Sequence, residues 1–269
     1  MGIDWDDAFA NAAYIPGGDA YLTALPGLAA DFRARANAEL NIAYGEKPRQ
    51  TLDIFWPGQG APKGLMIFFH GGYWMYLAPR DWSHMAAGAL DQGYAVCLPG
   101  YTLTPEATLP EIAEDAARAV SKAADLFEGP LFLSGHSAGG QIAAKLVSSE
   151  SKLDPKVLDR IARVTCISGV YDLRPLLMTR MNWTLGLNGA SAASESPMLL
   201  RPRTSVRTTL WVGSEERPIF LRQSRALHLL WGDLGGHMSL VEEQGAHHFS
   251  VLDGFSSSKS PLLQVVLGD

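Results

Sequence analysis

The sequence predicts an α/β fold with a mostly parallel central sheet flanked by helices. Short apolar runs alternate along the chain with longer stretches of helical periodicity. Several of these runs are apolar at nearly every position, which is typical of strands covered on both faces. No internal repeat or low-complexity linker interrupts the alternation, so the 269 residues are expected to form one domain, residues 1–269.

The strands and the main helices follow from these patterns. Strand candidates are residues 51–56, 65–70, 94–99, 131–135, 164–169, 209–213 and 239–243. Helices are predicted over residues 80–93, 109–127, 140–149 and 220–234. Gly93 is a plausible C-cap for the first of these helices, and Pro110 and the acidic residues after it favour the start of the second.

Two segments fall outside this alternation. Residues 1–50 are predicted to form a helical N-terminal extension centred on residues 27–41. Residues 172–205 are rich in Ser, Ala, Gly and Pro, so we expect an irregular segment that covers a site as a short lid.

Composition narrows the range of partners. The net charge is −6 with scattered Lys and Arg, which argues against a nucleic-acid partner. Cys97 and Cys166 lie in apolar runs and are expected to be buried thiols. The acidic N-terminus has no apolar leader, and no run reaches the roughly 18 residues that cross a bilayer. We therefore expect a soluble cytoplasmic protein with no membrane partner, and apolar residues in the extension could support a homodimer.

The first chemical motif is Gly-His-Ser-Ala-Gly at residues 135–139, which fits G-x-S-x-G at a turn from strand to helix. A serine on such a strained turn projects its hydroxyl above the sheet, and side chains at Gly135 and Gly139 would collide with nearby backbone. The N-terminus of the following helix favours developing negative charge. We interpret Ser137 as a nucleophile, and the alternative is an ordinary strand-to-helix connection that contains a serine.

A second motif, IFFHGGYW at residues 67–74, follows an earlier strand. Its paired glycines allow main-chain N–H groups to point into a site, as in the loop that supplies an oxyanion hole after the third strand of such folds. The alternative is a glycine turn with a structural histidine, His70. The candidate donors are the amides of Gly71, Gly72, Tyr73 and Ala138.

A serine nucleophile needs a base, and the chain order serine, acid, histidine places it after the last strand. His247 and His248 lie there, and we prefer His248 because Phe249 can pack beside it and fix the loop. Adjacent histidines could also bind a metal, but no further cluster of ligands stands at suitable spacing. We therefore expect no metal and no cofactor.

The residues alone do not decide which carboxylate is the acid of the triad. Glu215 and Glu216 follow the strand at residues 209–213, and Asp172 follows the preceding strand. Each of them could instead be a solvated loop charge or a helix cap.

Three motifs, HGGYW, GHSAGG and SGVYDLRPL (168–176), together resemble the arylformamidase (kynurenine formamidase) branch of the α/β-hydrolases. Residues 99–120 also resemble a segment of the hormone-sensitive-lipase-like esterases. The matched motifs run from His70 to Phe249, and HGGYW is more specific than the serine motif. The resemblance implies an α/β-hydrolase fold.

The resemblance also implies a catalytic triad of Ser137, Glu216 and His248. The acid of the family stands in a run like V-x-x-x-D-S-P-E-F, which aligns its Asp with Glu216 in VGSEERPIF. The family histidine stands in D-H-F, which aligns with His248 in HHF. The sequence departs from the family in having Glu as the acid and His247 in place of the Asp before the histidine.

These motifs imply a serine hydrolase that cleaves an aryl formamide such as N-formylkynurenine through an acyl-serine. The alternatives are a carboxylesterase or thioesterase for short acyl groups, and a non-catalytic binding protein, against which the complete triad argues. All the enzyme alternatives take a small-molecule ester or amide. The oxyanion-loop residue Tyr73 could also border an aromatic slot, although buried aromatic residues are commonly core. The further candidates for substrate binding are Trp74, Tyr76 and Trp183.

Overall fold

A single eight-stranded sheet forms the centre of the computed structural model, which describes residues 2–268. Its strands are β1 (Ala38–Ala43), β2 (Thr51–Phe55), β3 (Leu65–Phe69), β4 (Ala95–Pro99), β5 (Leu131–His136), β6 (Ile161–Ile167), β7 (Arg207–Gly213) and β8 (His237–Glu243). The spatial order is β1-β2-β4-β3-β5-β6-β7-β8. The β1–β2 and β2–β4 pairs are antiparallel, and all pairs from β4 to β8 are parallel, which confirms the predicted fold class.

Helices lie on both faces of this sheet. They are α1 (Trp5–Ala8), α2 (Gly18–Arg33), α3 (Ala87–Asp91), α4 (Leu109–Leu126), α5 (Ala138–Leu146), α6 (Pro155–Leu158), α7 (Asn182–Leu185), α8 (Gly189–Ser194), α9 (Pro218–Asp233) and α10 (Pro261–Leu267). The start of α4 is as predicted: Pro110 lies in the first turn, and the Glu111 carboxylate accepts the Thr108 amide at 2.8 Å in a capping box.

Side-chain alternation along the central strands divides the core in two. Leu65, Ile67 and Phe69 of β3 belong to the apolar cluster that includes α4, α5 and α9. Met66 and Phe68 face the other cluster, which includes α3 and α10. Each face of the sheet is therefore buried under helices, as the continuous apolar runs indicate. Both cysteines are buried and free, as predicted.

The N-terminal extension is only partly helical, so that prediction needs correction. Helix α2 ends at Arg33, and residues 38–43 form the edge strand β1 instead of continuing the helix. This strand is exposed at most positions. Ala38, Leu40 and Ile42 alternate with the polar Glu39 and Asn41, which is a strand pattern that the helical prediction overlooked. Backbone pairing with β2 decides its structure, and the Asp53 carboxylate accepts the Asn41 amide at 2.8 Å where the register shifts.

The predicted helix over residues 80–93 is also corrected. It is broken into two 3₁₀ turns, Pro79–Asp81 and Ser83–Ala86, followed by α3. The break falls at Trp82, whose backbone leaves the helical region (φ −118°, ψ 5°). The indole is buried beside Phe68, with ring centroids 6.2 Å apart, so core packing overrides local helix propensity.

A buried carboxylate on α4 fastens the loop that follows β4. Asp115 accepts hydrogen bonds from Thr102 Oγ1 at 2.7 Å, the Thr102 amide at 3.0 Å and Gln50 Nε2 at 2.8 Å, and it pairs with Arg118. Burial alone would raise the pKa of the Asp115 carboxyl, but the hydrogen bonds outweigh it and hold the pKa below its usual value. The ionised form is therefore built into the fold.

We predict that Asp115→Asn lowers the free energy of unfolding by about 1.5–3 kcal/mol at neutral pH, because the charge-assisted hydrogen bonds are lost. A carboxyl with a lowered pKa contributes stability above about pH 4, and that contribution is lost as the pH falls through its folded value. The difference between wild type and variant should therefore shrink in acid. Urea unfolding at pH 7 and pH 3 measures it, and a difference that stays constant would contradict the assignment.

Candidate active site

Ser137 occupies the turn between β5 and α5 in a strained conformation. Its backbone has φ 55° and ψ −116°, a region that non-glycine residues rarely adopt. Its amide donates to the Ile167 carbonyl at 2.9 Å, and its own carbonyl accepts the Gly140 amide at 2.9 Å. The serine is thereby held at the carboxyl end of the sheet, where a nucleophile elbow requires it.

The two motif glycines are required by close backbone approach. A Cβ added at Gly135 would lie 2.1 Å from the Gly139 carbonyl oxygen, and one at Gly139 would lie 2.0 Å from the Phe69 carbonyl oxygen. Real Cβ atoms do not come this close, so helix α5 can pack against β3 and β5 only without these side chains. This is the steric reason that the sequence pattern indicates.

We predict that Gly139→Ala lowers the Tm strongly or prevents folding, since the new methyl group collides with the main chain of β3. Gly232→Ala is the matched control, because no atom lies within 4 Å of its added Cβ. The control should gain about 0.4–1 kcal/mol from reduced freedom of the unfolded chain. Thermal unfolding measures both variants, and a Gly139→Ala protein as stable as wild type would show that the backbone contact is not a constraint.

His248 and Glu216 form a buried hydrogen-bonded pair. His248 Nδ1 lies 2.6 Å from Glu216 Oε2, and both residues are almost fully buried. The other carboxylate oxygen, Oε1, accepts the Gly213 amide at 2.9 Å and the hydroxyl of Ser168. Because the carboxylate accepts only, Nδ1 carries the proton in the neutral imidazole, and Nε2 is left with a free lone pair.

The alternative acids and base are placed differently. Glu215 is exposed. Asp172 pairs with its neighbour Arg174 through an Oδ2–Nη2 contact of 2.8 Å. His247 Nδ1 accepts the main-chain amide of Ser250 at 3.1 Å, which leaves this ring engaged with its own loop.

Ser137 and His248 face a common cavity of about 190 Å³. Gly71, Gly72 and Tyr73 of the second motif line the same cavity. Gly71 comes close to the serine, because a Cβ added there would lie 3.1 Å from the Ser137 Cβ. The structure therefore brings the serine, the imidazole and the glycine loop together.

The main-chain amides that could serve as oxyanion donors are free. Within residues 2–268, the amides of Gly71, Gly72, Tyr73 and Ala138 donate no hydrogen bond. The loop is held instead through the Gly72 carbonyl, which accepts the Met75 and Tyr76 amides, each at 2.9 Å. Ala138 opens helix α5, whose first amides have no partner within the helix.

The aromatic residues divide into two groups. Tyr73 and Tyr76 line the cavity, as the predicted slot requires. Trp74 does not, because its indole is buried in the core and donates to Gln141 Oε1 at 3.1 Å. Trp183 lies on the short helix α7 with 84% of its surface exposed, outside the cavity lining. Trp82 and Phe249 supply further aromatic walls. The sequence analysis assigned neither to the cavity and named Phe249 only as packing beside His248.

The cavity is covered by the N-terminal segment, whereas residues 172–205 contribute no lining residue to it. Asn11 and Leu22 lie in its walls, and Asn11 Nδ2 contacts the Tyr73 hydroxyl at 3.3 Å. Tyr21 stacks on Phe249 with centroids 5.2 Å apart. The position of the predicted lid is thus corrected, and no sequence motif marked these N-terminal residues.

Charge pairs fasten this segment beside the acid. Arg217, the neighbour of Glu216, binds the Asp7 carboxylate at 2.5 Å, and its guanidinium lies 3.7 Å from the centre of the Tyr14 ring. Arg180 binds Asp6 at 2.9 Å. The cover is therefore anchored to two separate parts of the chain.

The described residues contain neither a cluster of metal ligands nor a membrane-spanning helix. Over residues 2–268, no three His, Cys, Asp or Glu side chains converge as a metal centre requires. In the same part of the chain, no helix combines the length and the apolar character needed to cross a membrane.

Comparison with known sequences identifies a related family and related enzymes. A family model described as alpha/beta hydrolase fold matches residues 66–251. The kynurenine formamidase of Danio rerio is 27% identical over 246 residues, which cover 87% of this chain and 83% of that protein. The kynurenine formamidase of Drosophila melanogaster is 25% identical over 79% of this chain and 75% of its own.

Two solved structures of hydrolases also resemble this chain. A crystal structure from Silicibacter sp. TM1040, provisionally described as a thioesterase, is 41% identical with a TM-score of 0.93 and covers 99% of this chain and 100% of that one. An esterase from the hyperthermophile Pyrobaculum calidifontis has a TM-score of 0.70 at 17% identity, over 93% of this chain and 90% of that one. The second likeness concerns the fold alone.

Proposed function

Because the chain belongs to the α/β-hydrolase family, we propose that it is a serine hydrolase that cleaves aryl formamides through an acyl-serine. The observation that carries this proposal is the buried hydrogen bond between His248 and Glu216 at the cavity that also contains Ser137. A buried nucleophile, base and acid in this chain order argue against a protein that only binds.

The first step is attack of Ser137 Oγ on the formyl carbon. His248 Nε2 takes the hydroxyl proton as the new C–O bond forms. Glu216 keeps the imidazole in the required tautomer through the 2.6 Å bond and offsets the positive charge that develops on it. Because the pair is almost fully buried, this interaction is stronger than it would be in water.

The negative oxygen of the tetrahedral intermediate is held by main-chain amides. Ala138 supplies one donor at the start of α5, and Gly72 supplies the second from the glycine loop. Removal of one such donor typically costs about 3–4 kcal/mol of transition-state stabilisation. Neither amide has to break another bond first, because neither donates a hydrogen bond within residues 2–268.

Collapse of the intermediate expels the arylamine. His248 returns its proton to the leaving nitrogen, and the C–N bond breaks to leave a formyl-serine. Water then enters, gives a proton to His248 and attacks the formyl carbon. When this second intermediate collapses, the bond to Ser137 Oγ breaks, His248 returns the proton to Oγ, and formic acid leaves and ionises to formate.

The shape of the cavity supports a small acyl group next to an aromatic ring. Its volume of about 190 Å³ is below the range of most drug-sized pockets. Tyr73, Trp82 and Phe249 form its aromatic walls. The kynurenine formamidases of Danio rerio and Drosophila melanogaster, which match most of the chain, favour the same class of substrate, of which N-formylkynurenine is an example.

A carboxylesterase or thioesterase for short acyl groups is the second candidate. The relative from Silicibacter sp. TM1040 favours it, since it covers the whole chain at 41% identity and is provisionally described as a thioesterase. The same triad would serve both reactions, which differ in the leaving group. The cytoplasmic location and the homodimer stay predictions.

We predict that the protein hydrolyses p-nitrophenyl acetate and that Ser137→Ala lowers kcat by at least about a thousandfold. Ser134→Ala is the matched control on the same strand, because the Ser134 hydroxyl only contacts the Ile67 carbonyl, at 3.4 Å. It should keep wild-type turnover. Unchanged turnover in the Ser137 variant would remove this residue as the nucleophile.

The substrate class is tested by comparing kcat/KM for N-formylkynurenine with the values for acetyl and butyryl esters. We expect the formamide to be preferred by well over tenfold, because the cavity accepts a small acyl group beside an aryl ring. A preference of only a few fold, or a preference for butyryl over acetyl, would favour the esterase candidate.

A further inference from the structure

His136 is the residue directly before Ser137, and no role follows for it from the sequence motif. Its side chain is 3% exposed and lines the cavity. Its Nε2 atom lies 2.8 Å from the main-chain carbonyl oxygen of His248. A carbonyl oxygen only accepts hydrogen bonds, so Nε2 carries the proton and donates it.

The tautomer of His136 is fixed by its surroundings. The other ring nitrogen, Nδ1, is buried and has no hydrogen-bond partner within residues 2–268. Gly71 lies close to this nitrogen, since a Cβ added at Gly71 would be 3.1 Å from Nδ1. Burial, and to a lesser extent the nearby His248, holds the pKa of His136 well below its usual value. The ring is therefore neutral at pH 7, with its proton on Nε2.

The His248 ring packs against two other rings. Its centroid lies 4.6 Å from that of His136 and 4.5 Å from that of Phe220. Glu216 holds the imidazole by Nδ1, while His136 holds the main chain of the same residue. The base is thus fixed at two points by groups on different elements, the end of β5 and the loop after β7.

We propose that His136 is a positioning residue that aligns the His248 imidazole with Ser137 by holding the His248 carbonyl. The proposal rests on the proposed serine-hydrolase function. An unpaired buried nitrogen such as Nδ1 is costly, and its presence is accounted for if the donor at the opposite end of the ring is needed. Glu216 restrains the imidazole itself, whereas the bond from His136 restrains the main chain that carries it.

The test compares His136→Met with His136→Gln, which are nearly equal in shape but differ in that only Gln keeps a terminal N–H donor. We expect Met to lower kcat by about 10- to 100-fold with little change in KM, because a small misalignment of a catalytic group has effects of this size. Gln should recover most of the loss. If the Met variant does not fold, His136→Asn replaces it, since its amide is too short to reach the carbonyl.

Two substrates separate positioning from general damage. A formanilide needs a proton from His248 on its leaving amine, whereas p-nitrophenolate departs without one. The loss of kcat in the Met variant should therefore be larger for the formanilide. A merely structural role would lower the folded fraction and both rates equally, and titration of active serines with a phosphonate measures that fraction.

His84→Met is the matched control. His84 is a partly buried histidine whose Nδ1, like that of His136, has no hydrogen-bond partner within residues 2–268, but it lies outside the cavity lining. This variant should keep wild-type kcat for both substrates. Equal kcat in His136→Met and His136→Gln, or wild-type kcat in His136→Met, would overturn the positioning role.

Failure of the proposed function gives a different pattern. If the wild-type protein hydrolyses the ester but not the formanilide, the aryl-formamide assignment is wrong and the Met and Gln variants are still compared on the ester. If it hydrolyses neither substrate, both proposals fall.

Discussion

The bond between Glu216 and His248 is the interaction on which the site depends. The loops that carry the two residues follow β7 and β8, which run parallel and in register up to Gly213 and Glu243. Parallel strands deliver their following loops to one edge of the sheet, so residues far apart in sequence meet there. The carboxylate is in turn held by Gly213 and Ser168, and this shell of donors orients the acid before any substrate arrives.

Much of this architecture is visible in the sequence, because its causes are local. The central strands are recognisable as continuous apolar runs. Gly135 and Gly139 indicate that the backbone of α5 lies close to that of β3 and β5. No local pattern, by contrast, decides between Glu215 and Glu216 as the acid. The two residues are chemically identical neighbours, and only the conformation of the turn after β7 decides which one is buried. The residues alone left that choice open, and only the resemblance pointed to Glu216. Trp74 and Trp183 illustrate the same limit, because composition does not specify which way an indole faces.

Residues 172–205 do not line the cavity but pack against helix α5, which follows Ser137. The Gln141 amide on α5 joins the Trp74 indole to the Glu195 carbonyl, at 3.1 and 2.9 Å. Lys145 forms a buried ion pair with Glu195 at 3.3 Å. Buried pairs of this kind contribute little net stability, but loss of one partner is costly. The hydrogen bonds through Gln141 therefore hold Trp74, at the end of the glycine loop, against α5, and residues 172–205 stabilise this contact through Glu195.

The cover over the cavity connects the two ends of the chain. The Tyr21 hydroxyl contacts the Phe249 carbonyl across 228 positions, and Asp7 reaches Arg217 across 210. Such contacts close loops that span most of the chain. The pocket is therefore complete only when the N-terminal segment and the loop after β8 are both in place.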